Sequence, residues 1–236
     1  MNLFNWMLVK SGFTHSYSGL EVVELVFAVG EVDIHQLIEQ KIAIPDSFDN
    51  MLMKRRSEYL AGRICAVKAL EQLDIKTEDI KGLRQLCDRT PDWPNGIVGS
   101  ITHTDTIAAA CVGKSHLYNN IGIDIEKIMD IETCESIIDV IVTPNEFENI
   151  NCLDKTRISS EGLITLIFSA KETLFKALYP NIGYVFGFEM AKVISINHDT
   201  ISFCLDLKLK INNLENNIID VKYFFINSHV YTYLFL

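Results

Sequence analysis

The spacing of apolar and polar positions changes several times along the chain, and each change marks an element. Residues 18–30 interleave Leu20, Val22, Val23, Leu25 and Phe27 with Glu21 and Glu24, the composition of a strand. Ile44-Pro45-Asp46-Ser47 reads as a turn. Over residues 50–73 Leu52, Leu60, Ile64, Val67, Ala69 and Leu70 fall near helical spacing, with Ala and Leu supplying propensity, so a long helix is expected. Residues 89–96 form a loop by their Pro, Asn and Gly. Residues 97–105 predict a strand that bends at the Thr-His-Thr-Asp cluster, and the small apolar run 107–113 fits a second strand or a short helix. Residues 120–127 alternate as a strand, and 128–160 are acidic and mixed, with Thr143-Pro144-Asn145-Glu146 as a helix start. Residues 160–179 predict a second long helix, with Leu163, Leu166, Ile167, Leu174, Phe175 and Leu178 on its apolar face and Pro180 as its stop. A loop containing Gly183 and Gly187 follows, and then strands at 191–196, 201–210, 218–226 and 229–236 joined by Asn- and Asp-rich turns.

Two of these elements carry the densest chemistry. In Gly122-Ile123-Asp124-Ile125-Glu126 the carboxylates are two apart, so on a strand Asp124 and Glu126 share a face. On the second long helix Glu172 and Lys176 are four apart and also share a face. If helix and strand cross, three carboxylates and an ammonium converge, a set suited to Mg²⁺ and a phosphate. Each half has a plain alternative: a half-buried strand with one wet face, and an ordinary stabilising helix pair. Ser169 and Glu172 also have capping-box spacing. On the first long helix Lys54, Arg55 and Arg56 are adjacent and Arg63 follows Arg56 by seven, about two turns on one face. That cluster is either a solvated face or a phosphate clamp. His103, between Thr102 and Thr104, is either a phosphate contact or a locally bonded turn residue.

Composition narrows the class. With 236 residues and 48% hydrophobic content the chain can build a real core, as one sizeable domain or two small ones. A net charge of −10 argues against a general nucleic-acid binder but leaves room for a phosphate-bearing small molecule met by local Lys and Arg. Six scattered cysteines without a Cys-x-x-Cys pair fit reduced thiols in the cytoplasm. No basic n-region with a long apolar run opens the sequence, and no apolar run is long enough to span a bilayer. Gly113-Lys114-Ser115 resembles the tail of a P-loop, but Ala108 stands where that motif needs glycine. Ser100 and His103 lack the Gly-x-Ser-x-Gly elbow of a hydrolase.

Five blocks in order resemble the 4′-phosphopantetheinyl transferases, Sfp-like class, within it the enterobactin-synthase-type (siderophore) branch. They are Lys54-Arg55-Arg56-x-x-x-Leu60-Ala61-Gly62-Arg63, Trp93-Pro94-x-Gly96-x-x-Gly99-Ser100-Ile101-Thr102-His103-Thr104, Gly122-Ile123-Asp124-Ile125-Glu126, Phe168-Ser169-Ala170-Lys171-Glu172-x-x-Phe175-Lys176-Ala177 and Phe186-Gly187-Phe188-Glu189. The resemblance implies an α+β fold made of a pseudo-twofold pair of similar halves, each a long helix packed on a small antiparallel sheet, with coenzyme A bound between them. The parts do occur twice in the pattern, and the join is placed near 116, giving an N-terminal half 1–116 on the 3′-phosphate and adenine side and a C-terminal half 117–236 on the metal and catalytic side. The implied reaction moves phosphopantetheine from coenzyme A to a serine of an apo acyl, peptidyl or aryl carrier protein, with adenosine 3′,5′-bisphosphate released. Asp124, Glu126 and Glu172 are then expected to hold Mg²⁺ (or Mn²⁺). Glu172, or a water it holds, is expected to take the serine proton, and Lys176 to meet a phosphate. Arg56, Arg63, Thr102 and His103 are expected at the coenzyme A 3′-phosphate or adenine, with Lys54 and Arg55 as further candidates. The resemblance leaves two rivals to be tested, a metal-dependent phosphohydrolase and a non-catalytic binding module. A cytoplasmic monomer is the expected state.

Overall fold

The computed structural model describes residues 7–9, 12–13, 17–30, 42–76, 80, 83–144, 146, 158–209, 211 and 217–236. These fall into two compact units, residues 1–121 and 122–236. The fold is α+β: each unit carries a long helix and an antiparallel sheet.

In the first unit β1 (Met7–Val9), β2 (Leu20–Val26), β3 (Ile97–His103) and β4 (Ile107–Lys114) form a sheet in the order β1-β2-β4-β3, all neighbours antiparallel. Helix α1 (Met53–Gln72) packs on it, burying Leu60, Ile64, Val67 and Leu70 against Val23, Leu25, Ala108, Ala110 and Val112. The helix is three residues shorter at its start than its apolar spacing predicts. Residues Phe48–Asn50 make a separate 3₁₀ turn, and Met51 and Leu52 are extended before the helix begins. The predicted strand at 18–30 contracts to β2, and the run at 107–113 is a strand, not a helix. The reversal between β3 and β4 lies at 104–106, where Thr104 Oγ1 accepts the N–H groups of Thr106 and Ile107. His103 therefore belongs to the end of β3 and not to the bend.

In the second unit β5 (Ile121–Lys127), β6 (Ala191–Ile196), β7 (Thr200–Leu205), β8 (Ile218–Ile226) and β9 (His229–Phe235) take the order β5-β9-β8-β7-β6. Helix α3 (Ser160–Ile182) lies on this sheet with Leu166, Ala170, Leu174 and Leu178 in the core. Helix α2 (Ile131–Ile141) packs beside it; its N-cap Asp130 accepts the Thr133 N–H at 2.8 Å. Two boundaries differ from the expected ones. Pro180 does not stop α3: it sits in the last turn, where one missing N–H disturbs little, and the helix ends at Gly183, whose φ of 74° gives a left-handed cap closed onto the Tyr179 carbonyl at 2.8 Å. The predicted strand at 201–210 ends at Leu205; Asp206 then caps a 3₁₀ turn, Leu207–Leu209, accepting the Lys208 N–H. The helix start at 143–146 is described only at Thr143, Pro144 and Glu146; the rest of the acidic stretch up to 157 lies outside the described residues.

Candidate active site

The crossing of β5 and α3 is set by a glycine. A Cβ on Gly122 would sit 2.2 Å from the Thr173 carbonyl oxygen and 3.0 Å from the Ala177 Cβ, so strand and helix touch backbone to backbone there. This contact turns the even-numbered face of β5 toward α3. Two residues along that face is Asp124, only 3% exposed. The strand therefore has no wet face: Ile121, Ile123, Ile125 and Asp124 are all buried, and Glu126 is half-buried. The plain reading of the acidic pair as solvated strand is removed by that burial.

A buried carboxylate needs partners. Lys176 on α3 donates to Asp124 Oδ1 at 2.8 Å and to the Ile123 carbonyl at 3.2 Å. Ser169, two turns earlier, donates to Asp124 Oδ2 at 2.7 Å. Glu172 lies between these residues in sequence, on the same helix. Burial pushes its carboxyl above the ordinary range, the nearby Lys176 ammonium draws it back, and the Asp124 charge adds to the rise. The helix thus brings Glu172, Lys176 and Asp124 into one electrostatic unit, and strand alternation puts Glu126 on the same side of β5 as Asp124.

These groups fit a hard divalent cation in donor type, since all are carboxylate oxygens. Mg²⁺ commonly takes only one or two carboxylates and completes its shell with water and substrate phosphate. They do not form a closed cage: among the described residues no group of three or more His, Cys, Asp or Glu side chains is spaced to hold a metal ion by itself.

Lys54, Arg55, Arg56 and Arg63 of α1 occupy four different environments. Lys54 pairs with Asp105 at 2.5 Å, and that hydrogen bond holds its ammonium above the ordinary range. Arg55 Nη1 contacts His103 Nε2 at 2.8 Å and Glu58 Oε2 at 3.3 Å, with Glu58 3.9 Å from His103 Nδ1. Arg56 is turned the other way. It lies over the Phe48 ring and donates to the carbonyls of Met51 and Asp49, tying down the turn before the helix. Arg63 is 4% exposed, its guanidinium 5.1 Å from the Tyr59 ring centroid, and its Nη1 is buried with no hydrogen-bond partner among the described residues; burial lowers its pKa. Thr102 is buried on β3 beside His103. Sequence spacing thus groups Arg56 with Arg63, whereas the structure joins Arg55 to His103.

Sequence reasoning missed several supporting residues. Thr173 and Thr232 lie behind Ser169 in a buried hydroxyl chain. Lys171, between Ala170 and Glu172, faces away from Asp124 and donates to Glu146, the Ile141 carbonyl and the Phe188 carbonyl. Thr232 carried no signal, being one β-branched residue in a strand. Lys171 did carry one, as a cation inside an otherwise apolar helical stripe.

Comparison with known proteins follows the same division. The model of the 4′-phosphopantetheinyl transferase N-terminal domain matches residues 43–113, and that of the 4′-phosphopantetheinyl transferase superfamily matches residues 120–232. Enterobactin synthase component D of Salmonella typhimurium is 38% identical over 152 residues, which cover 64% of this chain and 60% of that protein. Its counterpart from Salmonella austin is 31% identical over 198 residues, 84% of this chain and 78% of that protein. The 4′-phosphopantetheinyl transferase Npt of Nocardia iowensis is 34% identical over 177 residues, 75% of this chain and 72% of that protein. The chain thus spans somewhat less than two thirds of the Salmonella typhimurium relative but more than two thirds of the other two. With both family models matched in order, and with Asp124, Glu172 and Lys176 assembled inside the second, this chain belongs to the 4′-phosphopantetheinyl transferase superfamily.

Proposed function

We propose that the chain transfers the phosphopantetheine arm of coenzyme A to a serine hydroxyl of an apo acyl, peptidyl or aryl carrier protein domain, releasing adenosine 3′,5′-bisphosphate. The observation that carries this reading is the grouping of a half-buried carboxyl, Glu172, with raised proton affinity, beside an ammonium, Lys176, and a buried carboxylate, Asp124. Relatives named enterobactin synthase component D support a carrier domain of siderophore or other nonribosomal peptide synthesis as the acceptor.

In this reading the serine oxygen forms a bond to the β-phosphorus as the bond to the bridging oxygen breaks, and the electron pair leaves with the adenosine bisphosphate. Glu172, directly or through a water, receives the serine proton; its raised affinity brings it nearer the range useful for a base at neutral pH. Lys176 carries its ammonium one turn along the helix, where it offsets charge on a phosphate oxygen. Asp124, Glu126 and Glu172 would hold Mg²⁺ or Mn²⁺. Such a cation supplies Lewis-acid charge neutralisation and a template when bound. In the first unit Arg55 offers donors for the 3′-phosphate, His103, whose Nε2 accepts from Arg55, offers its other ring nitrogen, Arg63 offers Nη1, which has no hydrogen-bond partner among the described residues, and Thr102 assists. Arg56, although engaged with carbonyls of the preceding turn, remains a candidate should a phosphate compete for its fork. Residues 1–116 are assigned to the nucleotide side and 117–236 to the metal and catalytic side of this proposal, in a cytoplasmic monomer.

The test is intact-mass spectrometry of apo carrier domains incubated with the chain, coenzyme A and Mg²⁺, alongside a chelator control and Glu172→Gln. The expected result is a gain of one phosphopantetheine, lost with chelator and with the variant. Cleavage of coenzyme A without modification of any carrier would replace transfer with hydrolysis; neither event would leave a binding module.

A further inference from the structure

Behind Asp124 lies a line of hydroxyls that a transfer reaction does not itself require. Ser169 and Thr173 project from α3 and Thr232 from β9, and all three are 0% exposed. Ser169 Oγ lies 2.7 Å from Asp124 Oδ2, Thr232 Oγ1 lies 2.9 Å from Ser169 Oγ, and Thr173 Oγ1 lies 2.6 Å from Thr232 Oγ1. Each contact between hydroxyls could run either way, but the acidic end fixes the direction. An ionised carboxylate only accepts, so the Ser169 proton goes to Asp124. With the two short hydroxyl contacts made as hydrogen bonds, Ser169 Oγ accepts from Thr232, and Thr232 Oγ1 accepts from Thr173. Along this line three protons serve the three oxygens Asp124 Oδ2, Ser169 Oγ and Thr232 Oγ1. The competing contacts are longer: Thr232 Oγ1 to the Ser169 carbonyl at 3.1 Å and Thr173 Oγ1 to the Thr232 carbonyl at 3.4 Å. The first of those carbonyls is also the helical acceptor of the Thr173 N–H.

We propose that Thr232, with Thr173 behind it, is a positioning residue of the site: acting through Ser169, this one-way hydroxyl chain holds the Asp124 carboxylate in a single orientation for a divalent cation. Hydrogen bonds in such a chain polarise one another, so the bond at Oδ2 is strengthened by donors that never touch Asp124. Lys176 on Oδ1 fixes the other oxygen, leaving the carboxylate little freedom to rotate. The chain also ties β9 to α3 directly behind the point where β5 crosses the helix. The inference rests on the reading of Asp124 as a cation ligand.

The test is Mn²⁺ binding to the full chain with coenzyme A present, followed by electron paramagnetic resonance without any carrier protein. Thr232→Val keeps the shape and removes the hydroxyl; Thr232→Ser keeps the hydroxyl and removes a methyl group. Loss of a partner behind a metal ligand typically weakens binding by about 10-fold or more. Thr232→Val and Ser169→Ala are each expected to weaken Mn²⁺ binding by about 10-fold, and Thr173→Val by less, because it lies furthest from the ligand. Combining Thr232→Val with Ser169→Ala should add little to Ser169→Ala alone, since the first acts through the second. Thr232→Ser should bind like the unaltered chain. The inference is overturned if Thr232→Val binds Mn²⁺ normally, or if Thr232→Ser is as impaired as Thr232→Val, which is the signature of packing alone. Should Thr232→Val not fold, Ser169→Ala and Thr232→Ser decide between the same outcomes. A chain that binds Mn²⁺ in this graded way but modifies no carrier would sink the transfer reading and leave the hydroxyl chain standing. An unaltered chain that binds no Mn²⁺ overturns the inference itself.

Discussion

Glu172 is asked to be both half-buried and ionisable, and its energetics follow from that conflict. Its folded-state affinity for a proton is raised, chiefly by burial. A group of this kind adds stability that is complete below its unfolded value and is lost as pH rises through the higher folded one. At pH 7 the ionised carboxylate is therefore a cost to the fold. Glu172→Gln removes that cost while removing the base, so the variant is expected to melt at a higher temperature than the unaltered chain at pH 7 and to transfer nothing. Below about pH 4.5, the ordinary value of a glutamate, the two should melt together, because both states are protonated there. Thermal melts across that range check the sign; a variant less stable at pH 7 would refute it. Gly122 presents the opposite case, a residue that acts by having no side chain. With a Cβ only 2.2 Å from the Thr173 carbonyl, Gly122→Ala must push β5 off the helix and carry Asp124 with it. Overpacking of this kind costs about 1–3 kcal/mol, readable by denaturant titration, and transfer should fall further than the stability loss explains.

Helix α3 is held from two sides, and the side away from Asp124 carries the more deeply buried ion pair. The Lys171 ammonium spends its three donors on Glu146 Oε1 at 2.8 Å, the Ile141 carbonyl at 2.6 Å and the Phe188 carbonyl at 3.1 Å. Glu146 in turn accepts the N–H of Thr143 and that of Val193 on the edge strand β6, and these donors with Lys171 keep its carboxyl below the usual range against the opposing effect of burial. One ion pair thus joins α3, the end of α2, β6 and the turn at 188–190. Removing one partner strands the other in the interior, so Lys171→Met should cost about 3–5 kcal/mol in a denaturant titration. Adding Glu146→Gln should recover part of that loss; a double variant weaker by the full sum of the two single losses would rule the pairing out. These elements also show what the sequence could disclose. The acid pair of β5, Glu172 with Lys176, and both long helices were legible, because period, spacing and order carry them. Helix α2 goes undistinguished within the acidic stretch 128–160, although Asp130 as cap and the spacing of Cys134, Ile137, Ile138 and Ile141 are its marks. The end of α3 lies beyond the stop that Pro180 predicts, because a proline is tolerated where few helical bonds remain to break. Which arginine meets His103 depends on rotation about α1 and on where the helix starts, and seven-residue spacing could not tell Arg55 from Arg56. Thr232 was invisible because its role arises only from a neighbour 63 residues away in the chain.

At the scale of the whole chain the strongest long-range influence on any partner is the net charge of −10. Carrier domains, the acceptors of the proposed transfer, are themselves acidic, so long-range forces oppose the encounter. Much of the local basic charge is already matched: Lys54 by Asp105, Arg55 by Glu58, and Lys222 by Asp199. Two consequences compete as salt is varied. Lowering ionic strength extends the Debye length from about 10 Å at 0.1 M to about 30 Å at 0.01 M, which strengthens repulsion between the two bodies. It also strengthens short-range pairing between any local Lys or Arg and the carrier's acids. If recognition rests on apolar contact with a few local cations, these effects largely offset one another, and the Michaelis constant for the carrier should change by no more than roughly twofold across that range. The measurement is the KM for an apo carrier domain at fixed Mg²⁺ and coenzyme A as sodium chloride is varied. A steep rise toward low salt would mean that the net charge governs the encounter. A steep fall would mean that a basic docking surface does, and either result would displace the apolar mode of recognition.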